Sequence, residues 1–169
     1  MSKVMGKAKR HNSLIPLSRE HHYGLLLCLR IRRGLEKQKE DQNWQRAKAD
    51  DVVRFFDSDL VPHFRAEENV LFPTMRGLSA APELIEELLS EHRKIERLVE
   101  QLRQTDCDQL ADRLIEFADL LESHIRKEER DLFPVYESLI PPDIDNRVEE
   151  EIKNLIGPAL QPKNPELLE

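Results

Sequence analysis

The sequence predicts an all-α protein: an up-down-up-down antiparallel four-helix bundle with a short extra C-terminal helix. Three observations predict it. Leu, Glu, Arg and Lys abound while Thr occurs twice and Gly five times in 169 residues, a composition that favours helix over strand. Apolar residues recur at alternating three- and four-residue steps along four long segments. The later breaks between segments are short and carry Pro, Gly or capping residues, so those helices should return antiparallel.

The first helix is expected after Pro16, with Ser18 as its cap, and runs to about Gln38. Its stripe is Leu14, Leu17, His21, Gly24, Cys28, Ile31 and Leu35. Residues 36–48 are highly charged without Gly or Pro, which leaves the next boundary unplaced. The second helix carries Val53, Phe56, Leu60, His63, Glu67 and Val70 and ends around Pro73 to Gly77. Pro62 removes a backbone donor inside it and should bend it just before His63. The third helix starts near Pro82 and presents Ile85, Leu88, His92, Ile95, Val99 and Leu102. The fourth, capped by Thr105 or Asp106, presents Leu110, Leu114, Phe117, Leu121, His124, Glu128 and Val135. A fifth, shorter helix is expected from about Asp143 to Ile156, before a tail punctuated by Pro158, Pro162 and Pro165. The expected division is a basic disordered tail over 1–13, the bundle over 14–138, and a short helix with a Pro-rich tail over 139–169.

Charge and composition exclude several classes. With 26 Lys and Arg against 33 Asp and Glu, the net charge of −7 has the wrong sign for a phosphate backbone, so no nucleic-acid partner is expected. The longest apolar run, Leu25 to Leu29, is far short of the roughly 18–20 residues of a membrane helix. The basic N-terminal residues Lys3, Lys7, Lys9 and Arg10 precede no apolar run before Pro16, which points to a cytoplasmic protein. Cys28 and Cys107 form no CxxC pair, and Cys28, on the inward register, reads as a buried structural thiol. His11, in the basic tail, is expected at the surface.

An internal repeat carries the chemistry. The segments His63-Phe-Arg-Ala-Glu-Glu-Asn-Val-Leu-Phe-Pro73 and His124-Ile-Arg-Lys-Glu-Glu-Arg-Asp-Leu-Phe-Pro134 agree at seven of eleven positions, and Glu20-His21 is echoed by Glu91-His92. In each second helix the Glu follows the His by four residues, one turn along the same face. Four histidines and two carboxylates in a bundle interior are costly unless a cation neutralises them. Imidazole and carboxylate together suit first-row metals, and iron is the best fit for His and Glu converging from four helices. Of His21 and His22, only one can face inward; the heptad register through His21 is uncharged from Leu14 to Leu35, whereas that through His22 includes Ser18, Arg32 and Glu36. Gly24 on the same face leaves room for a ligand or allows a close helix contact. Glu68 and Glu129 fall one residue off axis and should support the site or face solvent. The Leu-Phe-Pro triplets read as core plugs and helix stops.

From about Leu14 to Pro134, the order Glu-His, His-xxx-Glu, Glu-His, His-xxx-Glu resembles the hemerythrin-like, or HHE cation-binding, family. The resemblance implies a non-haem di-iron centre, with a bridging oxo or hydroxo group, that binds dioxygen, nitric oxide or iron itself. Its terminal ligands would be His21, His63, His92 and His124, with Glu67 and Glu128 bridging and Glu96 or His22 as further candidates. The family's oxygen carriers hold a histidine where this chain has Glu96, so a more open centre is expected here. The four-His, two-Glu set is similar to the family's iron-centre repair branch, without that branch's N-terminal cysteine segment. Carriage or sensing of a small ligand is thus the leading expectation, with reduction of nitric oxide or peroxide, or repair, as the alternative. A ferritin-like scheme is disfavoured because its carboxylate precedes the histidine. A dimer built through residues 36–48 or the C-terminal tail is left open.

Overall fold

The computed structural model describes residues 9–104 and 109–157 and contains no strand among them. Helix α1 (Ile15–Gln38) is entered through a 3-10 turn (Asn12–Leu14) and carries Pro16 in its first turn. It therefore starts earlier than expected, and Ser18 lies inside it, donating its hydroxyl to Glu129 instead of capping. Helix α2 (Gln42–Phe55) begins at Asp41, whose carboxylate accepts from the Trp44 N–H at 3.0 Å; this cap settles the boundary in the charged 36–48 stretch.

From Gln42 the chain stays helical to Gly77 through a π turn (Phe56–Leu60), α3 (Val61–Ala66), a second π turn (Glu67–Leu71) and α4 (Phe72–Gly77). A tight turn with Ser79 and Ala81 at positive φ leads into α5 (Pro82–Gln104). Then follow α6 (Leu110–Lys127), a third π turn (Glu128–Leu132), α7 (Phe133–Leu139) and α8 (Pro142–Ile156). The expected caps Thr105 and Asp106, Cys107 and the tail prolines Pro158, Pro162 and Pro165 lie outside the described residues.

Cross-helix pairs fix the directions. Ser18 and Arg32 on α1 meet Glu129 and Glu122, so residue numbers fall along one helix as they rise along the other. Arg46 and Arg76 reach the Leu102 carbonyl and Glu86 on α5, and Glu87 of α5 pairs with Lys127 at the end of α6. Together with His63 against Glu20, these contacts close an antiparallel four-rod bundle.

The prolines do not stop their helices. Pro62, Pro73 and Pro134 each sit just after a π turn, in the first turn of α3, α4 and α7. At those points the N–H groups of Val61, Phe72 and Phe133 reach back to the carbonyls of Phe56, Glu67 and Glu128, five residues earlier. The ladder is already being re-phased there, so a missing donor breaks no regular run. The extra residue also turns the buried face by about 100°. Val52 and Phe55 accordingly occupy the core where the unbroken stripe predicted Val53, and Tyr136 is buried where it predicted Val135; both valines are half-buried. Leu71, Phe72, Leu132 and Phe133 do plug the core.

Buried apolar residues form two clusters. One is built around Leu27, Ile31, Phe55, Leu114 and Leu121; the other around Leu17, Phe72, Leu88, Phe133 and Tyr136, and α8 adds Val148, Ile152 and Ile156 to the second. The layer of histidine and glutamate lies between them. His11, expected at the surface, is only about one-third exposed, with its ring edge-on to Tyr136 and Nδ1 3.5 Å from Asp145.

Candidate metal centre

Six of the predicted residues converge. His21 from α1, His63 from α3, His92 from α5, His124 from α6, and Glu67 and Glu128 at the first positions of two π turns are each at most 3% exposed. They fall into two groups that share both carboxylates. One ligating atom from each of His21, His63, Glu67 and Glu128 lies within 4.8 Å of the others, and the same holds for Glu67, His92, His124 and Glu128. Each carboxylate presents one oxygen to each group. Glu67 Oε1 is 3.0 Å from His63 Nε2 and Oε2 is 3.2 Å from His92 Nε2. Glu128 Oε2 is 3.1 Å from His21 Nε2 and Oε1 is 3.5 Å from His124 Nε2.

The other nitrogen of every ring is tied to a carboxylate from another rod. His63 Nδ1 donates to Glu20 and His124 Nδ1 to Glu91, each at 2.9 Å. His21 Nδ1 donates to Glu129 and His92 Nδ1 to Glu68, each at 2.8 Å. In the sequence, Glu20 and Glu91 are marked only by their repetition beside histidines. That repetition was the available signal, but it could not show that Glu20 serves His63 on a different helix. With Nδ1–H committed outward, a neutral ring turns the Nε2 lone pair inward, the orientation that metal-binding histidines adopt.

These inward atoms face only one another. Both oxygens of Glu67 and of Glu128, and Nε2 of His92 and of His124, are buried without a hydrogen bond. His21 Nε2 and His63 Nε2 face each other at 3.1 Å, where two lone pairs repel unless positive charge sits beside them. Buried unpaired polar atoms cost about 1–3 kcal/mol each, more when charged, so their convergence calls for a cation.

The electrostatics agree. Burial pushes the His92 imidazole down, but Glu67 and Glu68 outweigh it and raise its pKa to about 9. Burial likewise opposes, and neighbouring carboxylates overcome, so that His21 is raised and His63 is raised well above its ordinary value. Glu67, despite burial, is held well below the usual carboxylate range by His63 and His92. Without a metal, this layer draws protons onto its imidazoles, and a cation has to displace them.

The remaining candidates lie elsewhere. Glu96, one turn past His92 on α5, is half-buried and pairs with Arg93, outside both groups of clustered ligand atoms. His22 is exposed, its ring beside Tyr23; the uncharged register through His21 is the inward one. Gly24 serves a close helix contact, since a Cβ there would lie 2.9 Å from Ile125 Cδ1. Cys28 is buried, and burial pushes its thiol up to about 12, leaving it inert. Aromatic walls that no spacing in the sequence marks close the site: Phe64 stacks on His92 at 3.8 Å between ring centres, and Phe133 stacks on His21 at 5.5 Å.

The fold and this double His/Glu cluster define a helical-bundle metal-binding protein. The family model of the hemerythrin HHE cation binding domain matches residues 16–136, and the chain belongs to that family. Over 77 residues the chain is 35% identical to a Nostoc sp. (strain PCC 7120 / SAG 25.82 / UTEX 2576) protein named DNA nickase. The alignment covers 44% of this chain and 22% of that protein, so the chain spans about a fifth of the relative's length. No solved structure matches. Among the described residues, no helix is long and apolar enough to cross a membrane.

Proposed function

We propose that this is a non-haem di-iron protein that binds a small ligand, dioxygen or nitric oxide. His21 and His63 would hold one iron, His92 and His124 the other, and Glu67 and Glu128 would bridge both. The observation that carries the reading is that each buried carboxylate offers one otherwise unpartnered oxygen to each histidine pair. Two nitrogens and two oxygens for each ion suit iron, which when bound would supply reversible one-electron chemistry and a place for a diatomic ligand.

The protein's own residues do the rest. Glu20, Glu68, Glu91 and Glu129 fix the tautomer and plane of each ring. Phe64, Phe72 and Phe133 keep water from the ring faces. With Glu96 turned to Arg93, the six side chains would supply about four donor atoms to each ion and so would leave room for an added ligand. A small cavity beside His21, His63 and His124, walled by Phe55, Leu60, Phe64, Leu121 and Ile125, has room for about one water-sized molecule.

Anaerobic loading with ferrous iron should give two irons per chain, and nitric oxide should then change the visible spectrum. Fewer than one iron per chain, or an unchanged spectrum, would overturn the reading. Reduction of nitric oxide or peroxide is the enzymatic alternative; sustained consumption by the reduced protein, lost in His63→Ala, would establish it. The relative named DNA nickase raises strand cleavage as a further reading, which the net charge of −7 disfavours. Intact supercoiled plasmid after incubation with iron-loaded protein is the expected result.

A further inference from the structure

The two histidine pairs are related by the internal repeat, yet their outer supports differ. Glu68, which accepts from His92 Nδ1, is held by Arg93, the residue next to that histidine on α5. Glu129, which accepts from His21 Nδ1, is held by Ser18 at 2.6 Å and by Arg10 at 2.7 Å, a residue before the bundle's first helix and 119 positions away in the chain. Arg10 also lies 5.1 Å over the Phe133 ring, which stacks on His21. It pairs with Glu137 on α7 at 3.2 Å, and the His11 N–H donates to the same carboxylate at 2.9 Å. Ser13 donates to Asp145 on α8, which also accepts from Tyr136. Residues 10–13 are thus fastened to α7 and α8 at several points, and one of those points touches both Glu129 and Phe133.

We propose that Arg10 is a positioning residue for the His21 pair, so that metal retention in that half of the centre depends on the docked N-terminal segment, while the His92 half is secured from within the bundle. The inference rests on the di-iron reading above. Its physical basis is that a carboxylate supporting a metal-bound imidazole typically changes metal affinity by about 10–100-fold, and Arg10 acts on such a carboxylate and on the wall beside it. Glu129 is itself about one-quarter exposed, and Arg10 holds it through the oxygen away from His21 Nδ1. A surface depression lined by Arg10, Ile15, Ser18, Arg19, His22 and Glu129 lies beside the contact.

The test is iron release to a ferrous chelator from the full chain, loaded anaerobically to two irons. Arg10→Ala should speed release of one iron about tenfold and leave the other near its original rate. Arg10→Lys should restore most of the retention, and Arg93→Ala should speed the opposite iron. In a His21→Ala background, Arg10→Ala should have no further effect on the remaining iron, whereas Arg93→Ala still should. Metal-free Arg10→Ala should keep its helicity and show a changed His21 Nδ1–H resonance with that of His92 unmoved. Equal acceleration of both irons, or of neither, in a variant that loads two irons overturns this inference and leaves the di-iron reading standing. A wild-type chain that takes up no iron removes both.

Discussion

Two kinds of helix meet at the centre. The rods α1 and α5 are regular, and each supplies one histidine together with an adjacent glutamate that supports a ring on another rod. The rods over residues 42–77 and 110–139 are interrupted, and in both a π turn starts on the bridging candidate, Glu67 or Glu128. A regular helix can point His and Glu inward one turn apart, but it then carries its apolar face onward at a fixed phase. The π turn resets that phase after the polar pair, so Leu71 and Phe72, or Leu132 and Phe133, close the apolar core directly beneath. Interruption lets one rod serve both a polar layer and a well-packed plug.

Removing the interruption should have the largest effect. Deleting Asn69, an exposed residue inside the second π turn, restores a regular ladder and rotates Phe72 out of the core. The expected loss is about 4 kcal/mol, as for truncating a buried Phe, or roughly 10 °C in melting temperature of the metal-free protein. A drop below about 3 °C would show that the turn is incidental.

Next comes the division of labour between bridging and supporting carboxylates. Glu67→Ala or Glu128→Ala takes an oxygen from both histidine pairs at once and should weaken uptake of both irons by more than about 100-fold in a calorimetric titration. The regular rods should respond less. Glu20→Gln or Glu91→Gln leaves the bridges in place and should cost about 10–100-fold, with circular dichroism unchanged.

The smallest effect expected is that of pH. His92 is raised to about 9, so its contribution to metal-free stability is complete below the ordinary histidine range and is lost as pH climbs through about 9. His21 and His63 act in the same direction. Metal-bound imidazoles carry no such proton, so the gap in melting temperature between iron-loaded and metal-free protein should widen between about pH 6.5 and 9. On the acid side Glu67 has the opposite sign, and its contribution fades as pH falls below the carboxylate range. A gap that narrows with rising pH would contradict the proton competition at His92.

The sequence by itself determined the helical class, the inward stripe of α1 with His21 in preference to His22, and the His-xxx-Glu pairs at His63 and His124, because helical periodicity is a property of neighbours along the chain. The same locality placed Glu68 and Glu129 just off the axis. The tertiary structure alone decided that Glu20 supports His63, that Glu129 supports His21 with Arg10 behind it, and that Glu96 faces Arg93. The first two partnerships join residues 43 and 108 positions apart, and no spacing encodes them. It also decided the phase shift across each π turn, which is why Val53, before the first, and Val135, after the third, yielded their core places to Val52, Phe55 and Tyr136. A one-residue insertion in a hydrogen-bond ladder has little local signature; it persists because packing around Phe72 and Phe133 rewards the rotated face.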